Sequence, residues 1–275
     1  MVYMGIHTFE DYLEPMEMFH IFNEPLRGRH VMWDARGLRL RESKQHALGF
    51  YDAPITREGL SQVAVIVFAN IESMETIKKV GGGPAFTEAV LEVHACMGPL
   101  LLKHGGYNIL PQREGYFMFA FRSPVDVAAF HRDFQAALLK VVWPVKYREL
   151  PQTKAVFGDP NKQRDLLYNG LTLSLGMSVG VVNKNLVQAR AQFTGPTCNR
   201  AARVASMAKG GQLLMFEHEF LEYQDDFYNA EPEPVGCTVL FEQVNLKGVQ
   251  GKPNIVWIDT DETSKRRAKH GGVRL

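Results

Sequence analysis

The sequence has few cysteines, almost no excess charge and no long apolar run. Its 275 residues include three cysteines, Cys96, Cys198 and Cys237. They are too few and too scattered for a disulfide framework or a zinc site. Thirty-one Lys and Arg residues are balanced by thirty Asp and Glu residues, so the chain has no overall attraction for nucleic acid. No apolar run approaches the roughly 20 residues that span a bilayer. These absences predict a cytoplasmic protein, or the intracellular part of a larger one, without a nucleic-acid partner or a membrane segment.

The hydrophobic pattern divides the chain into three parts. Residues 1–60 are predicted to be an irregular linker, residues 61–260 one compact domain, and residues 261–275 a solvated basic tail. The segments 9–19 and 246–257 share an order of apolar residue, turn, proline and apolar strand. A true repeat would make the first segment the end of a preceding, similar domain. A chance match explains so loose a pattern equally well.

The compact domain shows alternating strand and helix periods. A buried strand is predicted first, followed by a helix, two strands, a second helix and another strand, which is the order of a ferredoxin-like α+β sandwich. With a further helix and extra C-terminal strands, the predicted ranges are 62–71, 86–103, 107–110, 116–121, 123–141, 171–182, 196–208, 212–216, 239–246 and 254–259. A hairpin that turns at 183–185 and leads to Phe193 is expected, as is an exposed insertion without a firm period over 143–170.

Four segments resemble those of a known enzyme family. They are Val67–Ile71, Glu114–Phe117, Leu175–Val181 and Phe193–Arg203. Their order and spacing over residues 62–259 resemble the class III adenylyl and guanylyl cyclase catalytic domain. The most specific piece is Gly-Pro-Thr-x-Asn-x-Ala-Ala-Arg, which starts at Gly195. The resemblance implies a ferredoxin-like domain that pairs head-to-tail with another cyclase homology domain, either a tandem neighbour or a separate chain.

The resemblance also implies a reaction and a division of labour between two domains. The ribose 3′-hydroxyl of ATP or GTP attacks the α-phosphate and expels pyrophosphate, while Mg²⁺ or Mn²⁺ is held by two aspartates of one domain. The other domain supplies an asparagine for the ribose and an arginine for the charge that develops on phosphate. Asn199 and Arg203 match these two residues and stand four apart, so a helix places them on one face. A solvated surface pair is the alternative explanation.

The two metal positions depart from the family pattern. Asn70 stands where the first aspartate is expected, and an amide lacks the negative charge that Mg²⁺ favours. At about 4 Å and an effective dielectric constant near 20, the missing charge is on the order of 4 kcal/mol. The second position falls on Tyr116, Gly115 or Glu114, depending on the alignment, and of these only Glu114 can ligate a metal. Asn70 and Glu114 are therefore expected to be degenerate positions, and any metal to be held mainly by a partner domain.

The base-selecting positions do not identify the substrate. They fall on Gln112, or on Leu110 in a neighbouring alignment, and on Gln192, and Phe193 beside it is assigned to nucleotide binding with them. A glutamine side chain both donates and accepts hydrogen bonds, so these residues suit adenine and guanine alike. The choice between ATP and GTP therefore stays open.

Two functional hypotheses follow from this mixture of kept and lost residues. In the first, the chain is the partner-type half of a cyclase that makes cAMP or cGMP for signal transduction, and its homodimer is inactive because neither site has both aspartates. In the second, it is a pseudo-enzyme whose dimer face acts as a regulatory or scaffold module. Asn199 and Arg203 favour the first hypothesis, whereas Asn70 and the atypical base positions favour the second.

Overall fold

The computed structural model describes residues 2–7, 16–20, 61–109, 115–158, 166–187, 190–231, 235–259 and 264–266 of the chain. Within these ranges the strands are β1 (Val2–His7), β2 (Met16–His20), β3 (Ser61–Ile71), β4 (Tyr107–Asn108), β5 (Tyr116–Phe121), β6 (Val156–Phe157), β7 (Leu166–Tyr168), β8 (Leu173–Val187), β9 (Arg190–Thr194), β10 (Leu213–Phe216), β11 (Gly236–Phe241) and β12 (Ile255–Asp259). The helices are α1 (Met74–Gly81), α2 (Gly83–Lys103), α3 (Pro124–Leu139), α4 (Val145–Glu149), α5 (Pro196–Ala205), α6 (Glu217–Glu222) and α7 (Gln224–Tyr228).

Among the described residues, eight strands form one mixed sheet with β3 near its centre. The strand order is β11-β12-β10-β8-β3-β5-β4, and β9 folds back along β8. β3 is paired antiparallel with β5 on one side and with β8 on the other, while β10 runs parallel to β8. The apolar sequence of β3 suits this position, because a central strand is covered on both faces.

Alternate residues of β3 belong to two different apolar clusters. On one face, Val67 packs in a cluster with Phe86 of α2 and Phe130 of α3. On the other face, Ile66 packs in a cluster with Ala201 of α5. Successive strand residues point to opposite faces of a sheet. Helices α2 and α3 therefore cover one face, and α5 covers part of the other.

The six elements of the predicted sandwich are present, so the ferredoxin-like α+β fold is confirmed. Strand β5 has the predicted range. Helix α3 follows Ser123, whose hydroxyl oxygen accepts a hydrogen bond from the Val125 N–H at 3.2 Å. Strands β8 and β9 form the predicted hairpin, but β8 continues to Val187, so the turn predicted over 183–185 is wrong. Those three residues pair with β9 instead.

The segment predicted to be an exposed insertion, residues 143–170, is packed onto the domain where the structure describes it. Trp143 and Tyr147 are fully buried, and α4 and the β6–β7 pair lie within the segment. Gly170, with a φ of 74°, lies against the Trp143 indole, where a Cβ atom has no room. The prediction was wrong because two buried aromatic residues, one in a short helix and one just before it, leave no lasting period in the sequence.

Two expectations for the ends of the chain are also corrected. Residues 2–7 and 16–20, expected to be irregular, form an antiparallel pair of strands. In the tail, expected to be solvated, Arg266 is buried. Its guanidinium lies over the Tyr168 ring, 4.8 Å from the centroid, and donates a hydrogen bond to the Gln135 amide oxygen at 2.5 Å. A cation over an aromatic face is attracted to it, so this arginine docks its segment onto the domain.

One described helix, α2, is long and apolar enough to cross a membrane by length and composition alone. No apolar run of that length was expected from the sequence. The buried side of α2, which includes Phe86 and Val93, packs into the cluster on the sheet. Core packing therefore accounts for the apolar composition of this side.

Gly176 lets α5 approach β8 more closely than any side chain would permit. A Cβ atom on Gly176 would overlap the backbone of Ala205 and would lie 2.7 Å from the Val204 carbonyl carbon. Helix backbone cannot move aside without losing its packing, so Gly176→Ala is expected to destabilise the fold by about 2–3 kcal/mol. Gly98→Ala in α2 is the matched control, because a Cβ atom there meets nothing within 4 Å. Equal denaturant midpoints for the two variants would contradict the close packing of α5.

A buried histidine gives the fold a defined sensitivity to acid. His131 is 1% exposed, and burial, reinforced by the positive charge of Arg266, lowers its pKa to about 3. In the unfolded chain the pKa of this ring returns to its ordinary value of 6.5, so the unfolded state takes up the proton first. The free energy of unfolding therefore falls as the pH drops from 6.5 toward 3, and this contribution is fully present only above pH 6.5.

Substitution of His131 by glutamine is expected to remove that acid sensitivity. When the pH is lowered from 7 to 5, the free energy of unfolding of His131→Gln should fall by about 2 kcal/mol less than that of the wild type. Denaturant unfolding at both pH values measures the effect, and the exposed His218→Gln serves as the control. An equal loss of unfolding free energy in the wild type and in His131→Gln would contradict this account. It would show that the ring takes up a proton as readily in the folded state as in the unfolded state.

Candidate functional site

Helix α5 presents the two residues assigned to the ribose and the phosphate. Asn199 and Arg203 are both exposed and stand four residues apart, so they project from one face of the helix. The opposite face is buried and consists of Thr197, Cys198, Ala201, Val204 and Ala205. A planar guanidinium and an amide side by side on the surface are suited to bind a phosphate and a ribose hydroxyl.

The residues before α5 set its direction. Gly195 has a φ of 125°, a conformation that favours glycine, at the point where β9 passes into the helix. Pro196 occupies the first turn, where a backbone N–H has no partner within the helix. The Gly-Pro pair of the sequence signature is therefore the bend that carries the chain from β9 into α5.

Three hydrogen bonds fix α5 to strand β8. The Thr197 hydroxyl donates to the Val181 carbonyl oxygen at 2.7 Å. The Arg200 guanidinium donates through Nη2 to the Val179 carbonyl oxygen at 2.9 Å and through Nε to the Ser178 hydroxyl oxygen at 3.1 Å. These bonds lie on the flank of α5 that turns toward the sheet, and they leave the Asn199 side of the helix exposed.

Glu219 of α6 completes this set of contacts at the same edge of β8. Its carboxylate accepts hydrogen bonds from the Ser178 hydroxyl at 2.7 Å and the Val179 N–H at 2.9 Å. The Arg200 Nε atom lies 3.5 Å from Glu219 Oε1. Burial raises the pKa of Glu219 to about 7, although both hydrogen bonds and the charge of Arg200 act in the lowering direction. The group is thus a buried acid whose charge depends on these partners.

The first metal position lies at the end of the central strand. Asn70 is half-buried on β3, with Tyr116 beside it on β5 and Ser174 beside it on β8. The next residue, Ile71, donates its N–H to the Gly115 carbonyl oxygen at 3.0 Å. Strand pairing therefore brings Asn70 next to Gly115 and Tyr116, two of the three residues considered for the second metal position.

The side chains described at these positions do not fit a pair of divalent metal ions. Asn70 offers a neutral amide and Tyr116 a neutral phenol, whereas Mg²⁺ and Mn²⁺ prefer anionic oxygen. Within the described ranges, no group of three His, Cys, Asp or Glu side chains is placed to hold a metal. Glu72, two residues beyond Asn70, accepts a hydrogen bond from the Gly210 N–H at 2.8 Å. Glu114 lies outside the described residues.

The two β9 residues assigned to nucleotide binding differ in exposure. Gln192 is exposed, whereas Phe193 is buried with its ring edge-on to Tyr107 at a centroid distance of 6.3 Å. Neighbouring strand residues point to opposite faces, which accounts for the difference. Gln112, the other residue predicted to select the base, lies outside the described residues. The assignment of Gln112, Gln192 and Phe193 to nucleotide binding stays a prediction.

The contacts of Arg200, Ser178 and Glu219 were not predicted from the sequence. The local sequence does not single out Glu219, because Glu217, His218 and Glu222 lie beside it. Its partners could not be deduced, because the three residues are far apart in the chain and meet only through the turn from β10 into α6.

Sequence relatives of the chain include proteins named adenylate cyclase. The adenylate cyclase of Schizosaccharomyces pombe is 30% identical over 133 residues, which is 48% of this chain and 8% of the relative. A receptor-type adenylate cyclase of Trypanosoma equiperdum is 26% identical over 214 residues, which is 72% of this chain and 44% of the relative. The chain therefore spans less than half the length of these curated relatives. No family model matches the sequence.

Solved cyclase structures share the fold. An adenylate cyclase of Trypanosoma brucei in its monomeric state superposes with a TM-score of 0.61 at 24% identity, covering 76% of this chain and 91% of that one. The guanylate cyclase domain of RhGC from Catenaria anguillulae, solved in complex with GTP, superposes with a TM-score of 0.55 at 12% identity, covering 73% and 98%. Each likeness extends over nearly the whole of the solved domain.

Proposed function

Because the chain has the fold of a class III adenylyl and guanylyl cyclase catalytic domain and is homologous to proteins named adenylate cyclase, we propose that it is the partner-type half of a composite cyclase. In this role it pairs head-to-tail with a metal-bearing cyclase domain and supplies Asn199 and Arg203 to a site at their interface. The observation that carries the proposal is the exposed Asn199–Arg203 face of α5, held to β8 by hydrogen bonds.

The proposed chemistry is an internal phosphoryl transfer within ATP or GTP. The ribose 3′-hydroxyl loses its proton to solvent, a bond forms between its oxygen and the α-phosphorus, and the bond from that phosphorus to pyrophosphate breaks. Arg203 stabilises the negative charge that grows on the phosphate oxygens during this exchange. Asn199 holds the ribose so that its 3′-oxygen faces the phosphorus, and such positioning supplies much of the acceleration in reactions of this kind.

The proposal assigns Mg²⁺ or Mn²⁺ to the partner domain, because the described residues of this chain do not fit it. Carboxylates of that domain would hold the metal, which would supply positive charge to the triphosphate and Lewis acidity to the 3′-hydroxyl. A homodimer of this chain has Asn70 at both of its first metal positions. We therefore expect the homodimer to be inactive or nearly so.

A second function, a catalytically inactive regulatory or scaffold module, is favoured by the neutral side chains of Asn70 and Tyr116. In this alternative the fold is retained for dimerisation with another cyclase homology domain. The exposed pair on α5 would then have no catalytic partner. Formation of cAMP or cGMP by the natural assembly distinguishes the two functions, because only the first function requires it.

We also propose boundaries, a partner and a location for the domain. Residues 61–260 form the cyclase homology domain, and its partner is a tandem neighbour or a separate chain. The β1–β2 pair has the same antiparallel form as the β11–β12 pair that closes the sheet. This supports the interpretation of residues 1–22 as the end of a preceding, similar domain. A relative named as a receptor-type cyclase supports a cytoplasmic site of action, as the intracellular part of a larger protein.

Conversion of ATP and of GTP in the presence of Mn²⁺ tests the proposed function. The protein isolated with its natural partner is expected to form cAMP or cGMP, and the purified chain alone is expected to form neither. Mass spectrometry of the products identifies the substrate at the same time. Product from the chain alone would contradict the partner-type role, and a lack of product from the natural assembly would favour the scaffold function.

A further inference from the structure

We infer that Arg200 and Glu219 are positioning residues that set the orientation of Asn199 and Arg203 by fixing α5 to strand β8. The inference rests on the proposed function, because it concerns the same face of α5. The sheet is interrupted along one edge of β8. β10 pairs with β8 only at Leu175 and Gly176, and β9 pairs with β8 only from Asn183 onward.

Between these two pairings, side chains take the place of a neighbouring strand. The Val179 N–H donates to the Glu219 carboxylate, and the Val179 carbonyl oxygen accepts from Arg200. The Val181 carbonyl oxygen accepts from Thr197. Buried backbone groups require such partners. The groups that satisfy this stretch of β8 therefore come from α5 and α6 rather than from a strand.

This arrangement makes the register of α5 on β8 depend on Arg200. Arg200 directly follows Asn199 and stands three residues before Arg203, so its two hydrogen bonds restrain rotation of the helix about its axis. Glu219 is 3% exposed and acts on α5 indirectly, through the β8 residues that Arg200 contacts. It holds Ser178 and Val179, the two residues to which Arg200 donates, and its Oε1 atom lies 3.5 Å from the guanidinium Nε atom.

Neither residue touches the nucleotide in this account, so the expected effect is on catalysis through alignment. A misplacement of about 1 Å at a reacting centre is enough to lower a rate by as much as about a hundredfold. Binding of the triphosphate and the base depends on many contacts and is less sensitive to a rotation of one helix. Loss of Arg200 should therefore lower kcat and leave KM nearly unchanged.

The test compares Arg200→Gln with Arg148→Gln in the natural assembly. Arg148 is a matched control, because its Nε also donates to a backbone carbonyl, that of Trp143 at 2.9 Å, in a part of the fold away from α5. Arg200→Gln is expected to lower kcat about tenfold or more with KM within about twofold. Arg200→Lys, which keeps the charge and one hydrogen bond, is expected to recover part of the loss. Arg148→Gln is expected to leave kcat unchanged.

Parallel assays of Arg203→Ala separate a failure of this inference from a failure of the proposed function. If Arg203→Ala has no effect, the proposed function is wrong. If Arg203→Ala lowers kcat while Arg200→Gln does not, or if Arg200→Gln lowers activity only in proportion to lost folded protein, the positioning role is wrong. Ser178→Ala is a milder variant that removes the hydroxyl between Arg200 and Glu219. It should lower kcat in the same direction even if Arg200→Gln does not fold.

Discussion

Replacing Arg203 with alanine in the protein and its natural partner is expected to lower the rate of cyclic nucleotide formation about a hundredfold or more. The guanidinium is exposed on α5, where it makes no contribution to the core. Its effect should therefore fall on the transition state, where negative charge grows on the α-phosphate. Initial rates with Mn²⁺ and ATP or GTP, at saturating nucleotide, measure the change.

Two companion variants make this prediction specific. Arg203→Lys keeps the charge but not the planar fork that fits a phosphate, so an intermediate rate is expected. Thermal unfolding of Arg203→Ala should match the wild type, because an exposed side chain is removed and the Ser206 hydroxyl still donates to the residue 203 carbonyl oxygen at 2.7 Å. A folded Arg203→Ala protein with wild-type rates would show that this arginine has no part in catalysis.

Replacing Asn70 with aspartate is expected to raise the affinity of this chain for Mn²⁺ by at least about tenfold and by as much as about a thousandfold. The substitution preserves the shape of the side chain at the end of β3 and adds one full negative charge. The neighbouring main chain at Gly115 is already in place beside it. Titration of free Mn²⁺ by electron paramagnetic resonance measures the affinity directly and does not depend on catalysis.

The control for this gain of affinity is Asn245→Asp, which adds the same charge at an exposed loop position. It is expected to leave Mn²⁺ binding unchanged. Equal affinities of Asn70→Asp and the wild type would mean that the strand end does not have the geometry of a metal position. The loss of charge at Asn70 would then not be the reason for the missing metal site.

The framework of the fold was predictable because its signals are local. β3 is a nearly continuous apolar run, and Ser123 followed by proline is a strong helix start. The shared face of Asn199 and Arg203 follows from their spacing of four. Each of these features depends on residues close together in the sequence.

The features that were missed depend on contacts between distant parts of the chain. Trp143 and Tyr147 are buried by elements on either side of them, so the surrounding polar residues gave a misleading impression of exposure. Arg266 finds its place only because Tyr168 and Gln135 are brought together by the fold. Arg200 and Glu219 also meet only in the folded chain, because Glu219 lies in α6, which begins directly after β10.

The division of labour between the two domains is tested most directly by a structure of the natural assembly with a nucleotide that cannot cyclise. 3′-Deoxy-ATP and 3′-deoxy-GTP lack the attacking hydroxyl, and anomalous scattering from Mn²⁺ locates the metal without ambiguity. The account predicts that Arg203 contacts the phosphates and Asn199 the ribose, while Mn²⁺ lies on carboxylates of the partner domain. Mn²⁺ at the Asn70 strand end of this chain, or a nucleotide away from the Asn199–Arg203 face, would contradict it.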